Sequence, residues 1–119
     1  MKYILSVDQS TSGTKAMLFD EQGEMAYRCS RPHKQWIDRR GYVEHDGEEI
    51  LANVFALARE AVEQSGIAPE EVVGVAVTNQ RETGIAFDRE TGKPFCRAVV
   101  WQCSRGEEIC QRPEITKEA

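Results

Sequence analysis

The chain has 119 residues, 40% of them hydrophobic and 29% charged, with a formal net charge of −5. That length suits one domain burying about two-thirds of its unfolded surface, and the composition is that of a globular protein, not a disordered or fibrous one. The acidic balance argues against a nucleic-acid partner, whose phosphates demand a basic face; with neither a membrane-length apolar run nor a secretory leader after Lys2, the expectation is a cytoplasmic protein off the membrane.

Tyr3–Val7 is an apolar run bounded by turn residues and predicts a buried strand. Lys15–Asp20 predicts a second. Between them lies Asp8-Gln9-Ser10-Thr11-Ser12-Gly13-Thr14-Lys15. This bend carries what a nucleotide phosphate needs. Hydroxyls and backbone N–H groups donate to phosphate oxygens, glycine allows close backbone approach, and lysine adds a point charge. An aspartate at a strand end can hold magnesium through its waters. From composition alone, a Ser/Thr-rich hairpin loop with a capping aspartate accounts for the same residues.

The turn Glu21-Gln22-Gly23-Glu24 leads to a third strand over roughly Met25–Arg31, completing an antiparallel meander. Residues 32–42 read as an irregular surface loop. His33 and His45 stand apart from other ligand-type residues and read as structural or solvent-facing. Asp46 is placed to cap a helix, with Glu49 at capping-box spacing. Ile50, Val54, Phe55, Ala58, Ala61 and Val62 form its apolar stripe, and Gly66 ends it. Pro69-Glu70-Glu71 leads into Val72–Thr78, whose near-continuous apolar run predicts a buried parallel strand. A hairpin follows, with arms Gly84–Phe87 and Pro94–Cys96 about an Asp88–Gly92 turn. Ala98–Trp101 is a further short strand. Ser104 is placed to cap a last helix that Pro113 interrupts or ends.

Four cysteines, Cys29, Cys96, Cys103 and Cys110, show no Cys-x-x-Cys spacing. They read as reduced, partly buried thiols, not zinc ligands.

A second polar cluster, Thr78-Asn79-Gln80-Arg81-Glu82-Thr83, lies just past the carboxyl end of a predicted parallel strand. In open α/β sheets, ligands bind outside those ends. Arg81 offers a fork of donors, whereas ionised Glu82 only accepts. A polyol needs both, and Trp101 could supply a flat wall for its carbons. An exposed ion pair beside a core tryptophan is the alternative reading of these three residues.

These segments, together with Gly41-Tyr42-Val43-Glu44-His45-Asp46, Thr91-Gly92-Lys93-Pro94 and Val99-Val100-Trp101-Gln102, resemble the amino-terminal part of the FGGY carbohydrate kinases, glycerol kinase branch, in order and spacing. The likeness covers nearly the whole chain. Asn79–Thr83 with Val100-Trp101-Gln102 is its most specific part; the first bend is shared with the wider actin-like ATPases. The resemblance implies an α/β, ribonuclease H-like (actin-like ATPase) domain, with a mixed sheet built from a three-strand meander, a crossover helix and parallel strands. It also implies transfer of the ATP γ-phosphoryl group to a terminal hydroxyl of glycerol or a similar polyol or sugar, with Mg2+. On that resemblance Asp8 would position the metal–phosphate complex. Thr11 and Ser12 would contact transferring oxygens, with Thr11 also near substrate. Gly13 would contribute backbone, and Lys15 stands where an arginine is usual. Arg81 and Glu82 would bind substrate hydroxyls and Trp101 its carbons. Ser10 for glycine, Gly84 for threonine and Cys103-Ser104 for an acidic residue and arginine depart from the pattern. The family's general base, an aspartate, comes from farther along a longer chain. Residues 1–119 are therefore expected to be the amino-terminal part of the kinase's N-terminal domain, a fragment with little or no activity of its own.

Two alternatives remain at this level. An actin-like ATPase of chaperone or filament type would share the bend but leaves Arg81, Glu82 and Trp101 unexplained. A non-enzymatic binding or assembly module, forming a homo-oligomer, is the other. A P-loop enzyme lacks its Gly-x-x-x-x-Gly-Lys and a serine hydrolase its Gly-x-Ser-x-Gly.

Overall fold

The computed structural model describes residues 1–112. The expected break at Pro113 lies outside the described residues. Strands β1 (Tyr3–Gln9), β2 (Gly13–Phe19) and β3 (Met25–Pro32) form the expected antiparallel meander. Its register sets Leu5 opposite Leu18 and Val7 opposite Ala16. Side chains alternate across a strand, so all four fall on one face. Helix α1 (Gly47–Ser65) packs on that face of β1, β2 and β3. Leu5, Val7, Ala16 and Leu18 with Leu57 and Ala61 make the core, with Tyr27, Cys29, Val54 and Ala58 packed around it. Truncating a leucine in such a site typically costs about 2–5 kcal/mol.

The helix ends where the sequence says it should: Gly66 takes φ +77°, the left-handed conformation in which glycine closes a helix. Its buried stripe differs from the expected one. Asn53, Leu57 and Ala61 are buried, and Phe55 is 66% exposed on the outer face.

Strand β6 (Val72–Thr78) is delivered by a short 3₁₀ turn, Pro69–Glu71, and pairs parallel with β1. The sheet order is β3-β2-β1-β6. The parallel pairing meets expectation; the burial does not. Val75 and Val77 sit beside Leu5 and Val7 on the helix-bearing face, yet they are 64% and 67% exposed. The helix packs over β1 to β3, while β6 is the edge.

A second small sheet joins β4 (Gln35–Ile37), β5 (Val43–His45) and β7 (Ala98–Val99), antiparallel in that order. The predicted irregular loop 32–42 therefore contains a strand. Val43, His45, Ala98 and Val100 are buried here. His33 and His45 are both buried, which leaves the structural reading. The predicted hairpin is present in short form: Phe87 bridges Pro94, the Phe95 N–H donates to the Ala86 carbonyl at 2.9 Å, and the Asp88 N–H donates to the Lys93 carbonyl at 2.8 Å. Its turn is held by the Asp88 carboxylate, which accepts from the N–H groups of Glu90 and Thr91 at 2.8 Å each. Helix α2 (Arg105–Cys110) follows. The Ser104 hydroxyl does not cap it; it donates to the Arg40 carbonyl at 2.7 Å.

The chain divides into two compact units. One comprises Met1–His33 with Gly47–Arg81; the other comprises residues 34–46 with the run from Glu82 onward. Among the described residues no helix is long and apolar enough to cross a membrane.

Candidate functional site

The bend between β1 and β2 is closed by the Gly13 carbonyl, which accepts from both the N–H and the hydroxyl of Ser10 at 2.9 Å. That contact accommodates a serine at this position: Ser10 has no left-handed backbone to maintain, and its side chain ties the turn. Gly13 also has a packing reason to be glycine. A Cβ there would lie 2.7 Å from the Arg31 carbonyl oxygen, so its close approach is to β3. Ser12 is exposed and Thr11 half-buried at the tip.

Asp8 sits between Lys15 on β2 and Thr78 on β6 in the strand register. All three project on the face opposite α1, because Asp8 alternates with buried Val7. The Thr78 hydroxyl donates to Asp8 Oδ1 at 2.9 Å. One carboxylate oxygen is thus oriented by the protein, leaving Oδ2 as an acceptor for water. A single carboxylate with a water shell is the donor set that Mg2+ favours, so these residues fit that ion. Among the described residues no cluster of three or more His, Cys, Asp or Glu could cage a metal directly.

Gln80 Nε2 donates to Gln9 Oε1 at 3.1 Å, tying together the segments that leave β1 and β6. Arg81, exposed, follows at this same end of the sheet. The unit thus gathers Asp8, Thr11, Ser12, Gly13, Lys15 and Arg81 at one rim, the carboxyl ends of two parallel strands.

Glu82 and Trp101 belong to the second unit. Glu82 has φ +62°, left-handed for a non-glycine residue, a conformation that costs about 1–2 kcal/mol and is held where structure over-determines it. Trp101 is 52% exposed, which removes the core-tryptophan alternative. Its backbone N–H donates to the Thr83 hydroxyl at 3.3 Å, which ties the main chain at Trp101 to Thr83.

Sequence reasoning missed several neighbours. Glu44 accepts from Arg105 at 2.8 Å, and this hydrogen bond holds its carboxyl below the usual range despite partial burial. Arg105 Nε also donates to Cys103 Sγ at 3.0 Å. Burial opposes the Cys103 thiolate, but the N–H groups of Arg105 and Val43 and the Arg105 guanidinium together lower its pKa. Cys29 behaves oppositely: burial, with Glu60 beside it, pushes its thiol up to about 11. Cys96 and Cys110 are exposed, not packed as expected. No local pattern signals these partners; the Thr78 contact alone was accessible, through the parallel register.

The sequence pattern of the FGGY family of carbohydrate kinases, N-terminal domain, matches residues 3–118. The chain belongs to the FGGY family. It is 50% identical over 115 residues to glycerol kinase 1 of Thermotoga maritima, covering 97% of this chain but 23% of that protein. Plasmodium falciparum glycerol kinase, solved with ADP, superimposes with a TM-score of 0.80 at 38% identity, over 92% of this chain and 22% of the other. A Lactobacillus acidophilus xylulose kinase superimposes at 0.83 with 19% identity, over 93% of this chain and 22% of the other, which speaks to the fold alone. The mixed sheet is thus the FGGY, actin-like ATPase type of ribonuclease H-like fold, and the chain spans under a quarter of the length of these relatives.

Proposed function

We propose that these residues serve an ATP-dependent kinase that phosphorylates a terminal hydroxyl of glycerol or a similar small polyol in the cytoplasm, and form the amino-terminal part of its N-terminal domain. The observation that carries this reading is the placement of Asp8, Lys15 and Thr78 on one face of one sheet end, with Arg81 three residues beyond. Thr11, Ser12 and the Gly13 N–H would donate to phosphate oxygens, and Lys15 would add charge. Asp8, oriented by Thr78, would accept hydrogen bonds from water on Mg2+. When bound, that ion neutralises phosphate charge, the chief demand of phosphoryl transfer. Arg81 would donate to substrate hydroxyl oxygens, Glu82 would accept hydroxyl protons, and Trp101 would cover carbon. None of these residues is assigned as general base, so the 119-residue chain is expected to turn over little or no ATP by itself.

Calorimetric titration with glycerol tests the assignment. Hydrogen bonds to charged groups contribute roughly 1.5–3 kcal/mol, so Arg81→Ala should weaken glycerol binding about 10- to 100-fold. An actin-like ATPase of another kind predicts no polyol binding and no effect of Arg81. Equal affinity in wild type and Arg81→Ala would remove the substrate role.

A further inference from the structure

We propose that the second unit carries a binding pocket for a small phosphorylated anion with a carbon-rich body, built from the β4–β5 segment and Arg97. The cavity has a volume of about 240 Å³ and is lined by Trp36, Ile37, Asp38, Arg40, Tyr42, Glu44 and Arg97. Two aromatic rings there are stacked with four cations. Lys34 Nζ and the Arg97 guanidinium lie 3.7 and 3.5 Å from the Trp36 ring centroid. The Arg40 and Arg105 guanidiniums lie 4.0 and 4.3 Å from that of Tyr42. Asp38 and Glu44 are the carboxylates that line the pocket. In the lining itself Arg40 and Arg97 balance Asp38 and Glu44; Lys34 and Arg105, stacked on the same two rings but outside the lining, bring two further positive charges beside it, while Arg39 and Asp46 on the same segment offset each other. A local excess of positive charge in a chain of net −5 is what a dianion seeks.

The donors are not equally engaged. Asp38 Oδ2 accepts from both Arg40 Nε and Nη2, at 3.0 and 2.6 Å, so that fork is occupied. Glu44 is held by Arg105 at 2.8 Å but meets Arg97 only at 3.5 Å. A contact that long is weak and leaves the Arg97 fork available to a phosphate. Trp36 Nε1 is buried with no hydrogen-bond acceptor among the described residues. A buried indole N–H ordinarily finds one, and a ligand oxygen would supply it. Ile37 and the edges of the two rings would border the rest of the ligand.

Phenyl phosphate, inorganic phosphate and benzoate are the probes, read by the Trp36 indole N–H cross-peak in ¹⁵N-labelled full chain. Phenyl phosphate should shift that peak saturably, and inorganic phosphate more weakly. Arg97→Gln should weaken binding about tenfold or more, the size of one charge-assisted hydrogen bond, and Arg97→Lys by less. Arg89→Gln, in the exposed hairpin turn, should bind as wild type does. The amide spectrum reports whether each variant is folded, and the wild-type titration stands even if one is not. A shift that never saturates, an Arg97→Gln variant that is folded and binds equally, or saturation by benzoate alone would overturn the proposal.

Discussion

Single residues on the first unit separate chemistry from packing. Within the bend from Asp8 to Lys15, the chemical types were legible in the sequence, but the packing roles of Gly13 and Ser10 were not. Gly13 is fixed by its approach to β3, and Ser10 closes the turn. Thr14, inside the same motif, is fully buried beneath α1, and its hydroxyl has no hydrogen-bond partner among the described residues. An unsatisfied buried hydroxyl costs about 1–3 kcal/mol. Thr14→Val should therefore raise stability by roughly 1–2 kcal/mol in urea titrations; destabilisation would mean the hydroxyl is engaged. Glu82 was legible as an acceptor but not as a left-handed residue, because φ is set by the turn it closes. Val, β-branched, tolerates that conformation poorly, so Glu82→Val should lower stability by about 1–2 kcal/mol. Glu82→Gly should stay within about 1 kcal/mol of wild type, since released strain offsets added unfolded-state freedom. Both should lose polyol affinity. A Gly variant as unstable as the Val variant would show that backbone strain is not the cause.

Among the elements, the meander, the α1 boundaries and the parallel placement of β6 were all readable, because periodicity and turn residues are local signals. Side-chain partners and burial depth were not. The α1 stripe was displaced toward Phe55 because a helix with apolar residues on several faces does not say which face meets the sheet. The β6 valines read as buried because an apolar run cannot report whether a neighbour covers it. Strand β4 was missed entirely; three residues carry too little periodicity. The β5 strand supports a pH prediction. The Glu44 carboxyl is held down chiefly by its hydrogen bond to Arg105. A depressed folded-state pKa gives stability that is present above the ordinary glutamate value of 4.5 and lost as pH falls through the lowered one. Melting temperatures should thus drop more steeply below about pH 4.5 for wild type than for Glu44→Gln. Parallel pH profiles would contradict this.

For the whole chain, length suggested one domain; within it the fold gathers non-contiguous segments into two compact units, an arrangement set by long-range pairing and invisible to local patterns. What the sequence did convey was that two polar clusters follow two strands; the parallel register then brings Asp8 and Thr78 side by side. The central claim is that the hydroxyl-rich bend and Arg81 share one sheet rim that receives a metal–nucleotide. Paramagnetic broadening by Mn2+–ATP, with Mn2+ standing in for Mg2+, measures it directly. Amides of residues 8–15 and 78–81 should broaden together, and Asp8→Asn should abolish the effect. The Gly23 turn, at the far end of strands roughly 20 Å long, should be spared. Broadening centred on Gly23, or unchanged in Asp8→Asn, would contradict the account.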